Sequence, residues 1–497
     1  MVAVRGQACV QTSTLLGTEA IPVEVQVDVG SGLPAFTIVG LGDSAVLEAR
    51  ERVRTAIRSN GFRFPNARVL VNLAPGPLRK HGTGFDLPIA CAVLLATGQV
   101  PGARIEGRRV VGELALDGTV RSVPGILAHA LGARRDGLEF LSASDAADVI
   151  DSLGGLVYRP LASLRAITNG VSPRTVASRP WTSSYEIPDL SEVVGHSHAK
   201  RALEIAAAGG HHVLFIGPPG SGKTMLARRL AGILPPLDEE ERCATALVHS
   251  VAGLDERPVL AGVRPFRAPH HSASVAGLVG GGAPPRPGEV SLSHNGVLFL
   301  DELPEFGPAT LQTLRQPMED GHITLVRADG RIRLPAHFSL IGAANPCPCG
   351  HYGDPDRECR CTEAVVSRYQ NRIGGPIMDR IDLVVDVERL EPDLMVRMPE
   401  GETSERVADR VLAAGERAAA RGHTREAALS GSTLLEACRM SAGTTDLVAT
   451  FARSYRLSGR GVTRLLRVSR TIADLEGSDA VGEGHVVEAV SYRKREA

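Results

Sequence analysis

The spacing of apolar residues predicts mixed strands and helices in the first third of the chain. Between residues 20 and 30, valines at every second position alternate with polar residues, which is the period of a half-buried strand. From Val46 to Ile57, apolar residues recur instead at helical spacing after Asp43, which predicts a helix beginning there. Another strand at 69–73 and an apolar helix at 85–97 follow, and this part of the chain carries no unmistakable catalytic signature.

The middle of the chain contains an apolar run that breaks into a glycine-rich turn and then a helical pattern. The turn consists of Gly217, Pro218, Pro219, Gly220, Ser221, Gly222, Lys223 and Thr224. It fills every fixed position of the phosphate-loop motif, in which backbone N–H groups surround the β- and γ-phosphates. Lys223 can add a cation there, and Thr224 can offer its hydroxyl to Mg²⁺. The sequence therefore predicts binding of ATP with Mg²⁺.

Two later strands end in polar residues suited to hydrolysis. The strand 297–300 ends in Asp301, which suits the Mg²⁺ shell, and Glu302, which suits polarisation of the attacking water. The strand 338–344 ends at Asn345, whose amide could orient that water. Together with the phosphate loop, these residues predict an ATPase.

A long interval between the phosphate loop and Asp301 is predicted to include an irregular excursion at 262–272 and 280–289. Long irregular loops are costly unless they are functional. Arg264 and Arg267 flank an aromatic residue, a combination suited to phosphate contact beside a stacking ring. The alternative is that both arginines are simply solvated.

Alternating segments on either side of Asp329-Gly330 predict a β-hairpin at about 322–334. Arg327, Arg331 and Arg333 lie on it, so three cations can project from one hairpin, which favours contact with a nucleic acid. A predicted helix at 309–320 precedes it.

Four cysteines form two close pairs directly after Asn345. They are Cys347, Cys349, Cys359 and Cys361. Two such pairs in a reducing compartment suggest a structural Zn²⁺ site, although each pair is one residue tighter than the usual C-x-x-C. Reduced packing cysteines and a redox pair are the alternatives.

From Glu402 onward the pattern is helical, with segments predicted at 404–421, 432–440, 445–454, 462–475 and 480–493. Arginines at 460, 464, 467 and 470 recur three or four residues apart and so share one helical face. They form either an exposed basic stripe or a face from which at least one arginine reaches a γ-phosphate.

Composition narrows the partners. The 55 basic and 56 acidic residues give a net charge of −1, so no global field attracts nucleic acid or anionic lipid, and any DNA contact must be local. The chain shows no signal-peptide pattern and no apolar run near the ~18 residues of a membrane span, so we expect a cytoplasmic protein without a membrane partner.

Part of the first 168 residues resembles the proteolytic domain of Lon proteases. The resemblance lies in Lys80–Ala90, Gly112–Gly118 and Val123-Pro124-Gly125. In that alignment the catalytic serine falls near Thr83 and the lysine near Leu127. Without the lysine, Thr83 has no visible activating base, so we expect a Lon-like fold without peptidase activity.

Val194-Gly195, ahead of a predicted helix at 199–208, resembles the adenine-contacting segment of AAA+ ATPases. An ordinary turn before a helix is the alternative interpretation.

The whole chain resembles the magnesium-chelatase-like AAA+ ATPases of the YifB/ComM family. The matching segments are Gly217–Thr224, Arg264–His271, His294–Glu302, Asn345–Gly350, Gly375–Asp382 and Arg467–Asp474. This resemblance implies that Asn345 is the first sensor, that Arg380 is an arginine finger offered to a neighbouring subunit, and that Arg460, or alternatively Arg464, is the lid sensor.

The implied fold is α/β: a P-loop AAA+ ATPase core with an N-terminal Lon-protease-like α+β domain and a C-terminal α-helical lid. The expected divisions are 1–168 for the Lon-like domain, 169–188 for a linker, 189–395 for the ATPase core and 396–497 for the lid. The segment at about 250–290 and the hairpin would line the pore of a ring.

An arginine finger supplied in trans implies a homo-hexamer. The resemblance further implies a helicase that promotes branch migration on single-stranded or branched DNA during transformation, alongside recombination proteins. The alternatives are a magnesium-chelatase ATPase subunit that remodels a tetrapyrrole-inserting partner and, from another class, an ATP-dependent unfoldase or protease.

Overall fold

The computed structural model describes residues 6–176, 185, 187–282, 285–327, 330–354, 357–390, 401–422 and 429–493. The first region contains a mixed sheet flanked by helices. Its strands are β1 Gly6–Leu16, β2 Glu19–Gly30, β3 Ala35–Val39, β4 Arg68–Ala74, β5 Arg108–Val110, β6 Glu113–Leu114, β7 Val120–Arg121, β8 Glu139–Ala143, β9 Val157–Leu161 and β10 Arg174–Thr175. Its helices are α1 Ser44–Ser59, α2 Asp86–Ala96, α3 Ile126–Arg135, α4 Ala147–Ile150 and α5 Ala166–Asn169.

Eight of these strands form one sheet in the order β10-β9-β8-β5-β1-β2-β4-β3, while β6 and β7 pair separately. The valines of β2 are buried, as their alternation predicts, with Val25 at 0% and Val27 at 2% exposure. Helix α1 begins where the sequence indicates, because the Asp43 carboxylate accepts a hydrogen bond from Val46 N at 3.0 Å. Apolar faces of α1 and α2 pack on this sheet.

The second region is a parallel sheet covered by helices. The strands are β11 Val213–Ile216, β12 Phe266–Arg267, β13 Gly296–Leu300, β16 Phe338–Ala344 and β17 Leu383–Asp386, and the hairpin is β14 His322–Arg327 with β15 Gly330–Pro335. The helices are α6 Ser197–Gly209, α7 Lys223–Arg229, α8 Glu239–Ala252, α9 Arg257–Leu260, α10 Val275–Val279, α11 Glu289–Leu292, α12 Pro308–Thr313, α13 Arg315–Asp320, α14 Glu363–Gln370 and α15 Gly375–Met378. The sheet order is β12-β13-β16-β11-β17, and every pairing is parallel.

The third region is helical in its described part. Its helices are α16 Ser404–Ala420, α17 Gly431–Cys438, α18 Ala442–Ser454, α19 Gly459–Leu475 and α20 Glu483–Ser491. They match the five segments expected from periodicity to within a few residues at each end. Their apolar faces join α6, β11 and β17 in one core, so the helical region packs directly on the parallel sheet.

Three details differ from the sequence expectation. Phe266–Arg267 form the edge strand β12 beside Val297 and Leu298, so this part of the expected irregular excursion belongs to the sheet. The helix expected at 309–320 is two short helices, and Pro317 lacks the N–H that a continuous helix would use there. Within the expected linker, Arg174–Thr175 form strand β10 and pair with β9.

The interpretation of the α19 arginines as an exposed stripe is wrong for all but Arg460, which is exposed. Arg464 and Arg470 are 8% and 0% exposed, and Arg467 donates to the carbonyl of Leu429. Helical spacing shows that these residues share a face, but it does not show that the face points inward.

The N-terminal region is docked on the second region at two places. Gly125 N donates to Ser250 O at 2.7 Å, and Leu127 is buried in a core shared with α8 and α9. The apolar face of the hairpin lies against the turn between β1 and β2, where a Cβ on Gly17 would meet Ile332 Cγ2 at 2.6 Å. Among the described residues, no helix combines the length and apolar character needed to cross a membrane.

Asp474 provides a test of the buried polar network in the lid. Its carboxylate, 1% exposed, accepts from Arg421 at 2.8 Å and from the buried Arg470 at 3.0 Å. Removing one charge from a buried pair costs about 3–5 kcal/mol, because the remaining charge loses its partner. We therefore expect Asp474→Asn to speed amide hydrogen exchange in α19 by about 100-fold or more.

The matched control is Asp446→Asn, on an exposed position of α18. It should leave the exchange rates of α19 within about twofold of the parent, since surface substitutions rarely change stability by more than about 0.5 kcal/mol. Equal exchange in the two variants would show that the Asp474 network does not stabilise the lid.

Candidate functional site

The polar residues predicted for nucleotide chemistry meet at the carboxyl edge of the parallel sheet. Thr224 Oγ1 donates to Asp301 Oδ2 at 2.8 Å, which joins the phosphate loop to the end of β13. Lys223 Nζ donates to Asn345 Oδ1 at 3.3 Å, which joins the loop to the end of β16. The same ammonium group donates to Gly217 O at 2.7 Å and Pro218 O at 2.8 Å.

The loop geometry requires glycine at its first position. A Cβ on Gly217 would lie 2.1 Å from Val387 O, so no side chain fits there. Gly220 and Gly222 have φ values of 77° and 88°, the left-handed region that glycine adopts at no steric cost. Ser221 Oγ is buried and makes no hydrogen bond to any described residue, so a donor is available within the loop. These features fit a phosphate group bound by backbone and hydroxyl donors.

Two opposing effects act on the pKa of Lys223. Burial is the larger and lowers the pKa of its ammonium group, while the charges of Asp301 and Glu302 act to raise it. The two carboxylates are also the groups expected to hold Mg²⁺ and to polarise water. Residues and geometry therefore fit a nucleotide with Mg²⁺, in which Thr224 and Asp301 would hold the metal.

Glu302 has a partner that its sequence position does not reveal. Its carboxylate lies 3.2 Å from His271 Nδ1, and both side chains are partly exposed. Glu302 also adopts φ 50°, an unusual backbone conformation for a non-glycine residue at the end of a strand. The segment that follows β12 therefore contacts the residue expected to activate water.

Val194 and Gly195, expected near the adenine, lie close to the phosphate loop in space. Val194 is half-buried, Gly195 lies against Leu390, and the next residue, His196, lies beside Gly222. Its Nε2 atom is 3.6 Å from the position that a Cβ on Gly222 would occupy. The segment is therefore close enough to the phosphate loop to contact the same nucleotide.

Arg380 lies at the opposite edge of the sheet. It precedes β17, whose first residues pair with the beginning of β11 rather than with its end: Leu383 N donates to His212 O at 3.0 Å. Its side chain is 8% exposed, forms an ion pair with Glu319 and donates to Pro376 O. The position separates Arg380 from the phosphate loop of its own chain.

Arg464 of the lid lies beside the segment that contains Arg380. Arg464 donates to Met378 O at 3.0 Å and to Ile381 O at 2.7 Å, on either side of Arg380. Arg464 is therefore a structural link between lid and core. Arg460, one helical turn earlier, keeps an exposed side chain that could meet a phosphate.

The two arginines around Phe266 are engaged within the chain. Arg264, whose side chain is 10% exposed, donates to Asn295 O at 2.7 Å and pairs with Glu241 at 2.8 Å. Arg267 forms a two-pronged pair with Glu289 at 2.7 and 2.8 Å. Phe266 stacks on Phe299 with ring centroids 5.9 Å apart. The expectation of an open phosphate-contacting group is therefore wrong for Arg264, and Arg267 would first have to leave Glu289.

The hairpin separates its apolar and basic residues by strand alternation. Ile332 and Leu334 are buried, while Arg331 and Arg333 are exposed on the other face. Arg333 also lies 3.2 Å from the ring of His322. The side chain of Arg327 and the turn at 328–329 lie outside the described residues.

The four clustered cysteines converge in space. Their sulfur atoms all lie within 4.8 Å of one another. Cys347 is buried and the other three are partly exposed. The spacing of the two C-x-C pairs therefore does not prevent a common centre.

In the N-terminal region, Thr83 does have a hydrogen-bonding partner. Its hydroxyl donates to a carboxylate oxygen of Glu113, a contact that the expectation of no activating base overlooked. Leu127, where the Lon lysine would lie, is 2% exposed and packed in the core shared with α8. A buried leucine cannot take a proton from Thr83, which agrees with the expected lack of peptidase activity. That lack stays a prediction.

Family models match three parts of the chain. The model described as "Magnesium chelatase, subunit ChlI" matches residues 189–395, "Subunit ChlI of Mg-chelatase" matches 25–145, and "Magnesium chelatase, subunit ChlI C-terminal" matches 401–493. A protein named YifB from Salmonella typhimurium is 44% identical over 494 residues, covering 98% of this chain and 97% of its own.

Competence protein ComM of Haemophilus influenzae is 40% identical over 505 residues, again covering 98% of this chain and 97% of its own. The chain belongs to the YifB/ComM family of magnesium-chelatase-like AAA+ ATPases. Lon protease 2 of Bacillus subtilis is 29% identical over 199 residues, which cover 34% of this chain and 35% of the protease. Membership of the YifB/ComM family implies the use of ATP and Mg²⁺, in agreement with the donors around Lys223.

The sequence of this YifB/ComM-family chain does not indicate that His271, Glu319 and Glu113 contact Glu302, Arg380 and Thr83. Each contacts a residue that was singled out, but each lies far from it along the chain. A histidine pair beside an acidic strand end is a weak signal by itself. Each of these contacts depends on how the loops fold, which the local sequence does not show.

His271 is expected to restrain Glu302. A partly exposed polar contact of this kind is worth at most about 1 kcal/mol, so removing it should raise basal ATP hydrolysis by up to about fivefold, because the carboxylate becomes free to polarise water. We expect this increase for His271→Ala in steady-state phosphate release. Glu302→Gln should abolish hydrolysis in both backgrounds.

His270→Ala is the matched control for this experiment. The two histidine rings are 4.0 Å apart, but His270 is paired with Ser272 at 2.8 Å. Its substitution should leave basal hydrolysis unchanged. Equal rates for the parent and for His271→Ala would contradict the restraint.

Proposed function

We propose that this chain is an ATP-hydrolysing ring motor that acts on DNA. One observation carries the ATPase half of the proposal: Thr224, Asp301, Lys223 and Asn345 are hydrogen-bonded in pairs at one edge of the sheet. In the proposed reaction Lys223 binds the phosphates, Thr224 and Asp301 hold Mg²⁺, and Glu302 polarises the attacking water. Asn345, the proposed first sensor, positions that water.

The position of Arg380 supports a site shared between subunits. Residues 212–217 run from the edge near Arg380 to the phosphate loop and span roughly 16 Å at about 3.3 Å per residue. This distance exceeds the reach of one arginine side chain. Arg380 therefore serves the nucleotide of a neighbouring copy after leaving Glu319, and a closed ring of copies, most simply a hexamer, gives every site a finger.

The exposed lid arginine extends the same proposal. Arg460 lies one helical turn from Arg464, which is bonded on both sides of Arg380. Arg460, the proposed lid sensor, would therefore approach the same neighbouring nucleotide as Arg380. Movement of the lid on hydrolysis would then be transmitted across the subunit boundary.

The DNA half of the proposal depends on the hairpin. Arg331 and Arg333 are exposed on one face of β15 while the opposite face is held by apolar contacts, so the cations are presented on a supported strand. The relative from H. influenzae is named a competence protein. We propose that this chain acts on single-stranded or branched DNA and promotes branch migration during transformation.

A complementation experiment tests the shared site. Arg380→Ala alone should lower kcat for ATP about 10³-fold or more, the usual contribution of an arginine finger, and Lys223→Ala alone should be inactive. Mixing the two inactive variants should restore hydrolysis, because some interfaces then pair an intact Lys223 with an intact Arg380. Arg372→Ala, at an exposed arginine that pairs with Glu305 instead of Glu319, should retain parental activity.

Two results would contradict the shared site. One is full activity of Arg380→Ala, and the other is a mixture that stays as inactive as its components although mass measurement shows mixed rings. A protein that remains monomeric with ATP and DNA would also exclude the ring.

A salt titration tests the hairpin. Double substitution Arg331→Ala with Arg333→Ala should weaken binding to a four-way junction and reduce the slope of log K against log salt by about 1 to 2, because each phosphate contact releases about one counterion. DNA-stimulated hydrolysis and strand displacement should fall with it. Basal hydrolysis should not change.

The control is Arg453→Ala, at an exposed lid position. It should leave the salt slope as in the parent. A parent protein that neither binds DNA nor displaces a strand would reject the DNA half of the proposal while leaving the ATPase half intact.

A further inference from the structure

The clustered cysteines have the geometry of a single-metal site. The sulfur of Cys347 lies 3.3 Å from that of Cys349 and 3.7 Å from that of Cys359, and the Cys349 and Cys359 sulfurs are 3.6 Å apart. A tetrahedral Zn²⁺ with bonds of about 2.3 Å holds its four sulfurs about 3.8 Å apart. Multi-iron clusters bring their thiolates together around a larger body.

Backbone donors around the sulfurs also suit thiolates. Tyr352 N donates to Cys347 Sγ at 3.3 Å, and Cys361 N donates to Cys359 Sγ at 3.4 Å. Such outer contacts orient metal-binding sulfurs and stabilise their negative charge. Donors of this kind are typical of sulfurs that carry negative charge on a shared metal ion.

The cluster is joined to the nucleotide loop from two sides. Cys347 follows Asn345 and Pro346 directly, and Asn345 accepts from Lys223. Gly350, between the two cysteine pairs, lies against the loop: a Cβ there would be 2.6 Å from Pro219 Cδ. Gly350 also has φ 83°, a backbone conformation that favours glycine. The close approach therefore depends on the backbone conformation of the loop that carries the cysteines.

We propose that Cys347, Cys349, Cys359 and Cys361 bind one Zn²⁺ ion, and that this ion holds Gly350 against Pro219 and keeps Asn345 beside Lys223. The metal is structural and does not touch ATP. The ion fixes the loop that carries the cysteines and Gly350, and so makes the phosphate loop rigid before the nucleotide binds. The effect on affinity rests on the proposed ATP binding but not on DNA or on ring assembly.

The first test is elemental analysis of the purified full chain. We expect one zinc per chain, and release of that zinc to a chromogenic chelator when the thiols are blocked by a mercurial. Cys359→Ser with Cys361→Ser should contain less than a tenth of the parental zinc. Cys243→Ser, a substitution at a partly buried cysteine in α8, should retain all of it.

The second test measures equilibrium binding of a fluorescent ATP analogue without DNA. Loss of zinc should weaken binding about tenfold or more, and adding zinc back to chelator-stripped parent should restore it. If the double cysteine variant does not fold, the stripped and refilled parent gives the same comparison. Gly350→Ala provides a separate measurement, because it keeps all four ligands: we expect parental zinc content with weakened nucleotide binding.

The outcomes separate this inference from the proposed function. A parent without zinc, or with iron in its place, overturns the metal assignment. A zinc-containing parent whose nucleotide affinity is unchanged by metal removal and by Gly350→Ala overturns the link to the loop. A parent that contains zinc but binds no ATP analogue rejects the proposed ATPase and leaves only the metal assignment standing.

Discussion

The parallel pairing of β11, β13 and β16 is the constraint on which the candidate site depends. Parallel register places the carboxyl ends of these strands at one edge, so three distant segments of the chain deliver their polar ends to the same place. Nearly all apolar residues of these strands are buried, as is typical of a parallel sheet covered by helices on both faces. The contacts of Lys223 with Asn345 and of Thr224 with Asp301 follow from this arrangement.

Much of this edge could be predicted from the sequence because its signals are local. A phosphate loop after an apolar strand, and acids or an amide at strand ends, each lie within a few residues of the strand that positions them. The lid helices were equally predictable, since their periodicity extends over many residues. The edge strand β12 was missed because two residues are too few to show any period.

The remaining parts depend on contacts between distant segments. Nothing near Glu302 in the sequence indicates His271, and nothing near Arg380 indicates Glu319, because loops bring those residues in. The inward direction of Arg464 and Arg470 was equally hidden, since a helical pattern gives a face but not its neighbour. The burial of these arginines is explained by the carbonyl and carboxylate groups that accept their hydrogen bonds.

The contact between Ile332 and the turn at Gly17 attaches the hairpin to the N-terminal sheet. One face of β15 lies on the N-terminal sheet, and the other carries Arg331 and Arg333. If the hairpin moves as the proposed motor requires, it must either carry that sheet with it or slide across it. In the first case the N-terminal region would move together with the hairpin. In the second case the small apolar surface around Gly17 would be a sliding contact, and its resistance would limit the speed of each step.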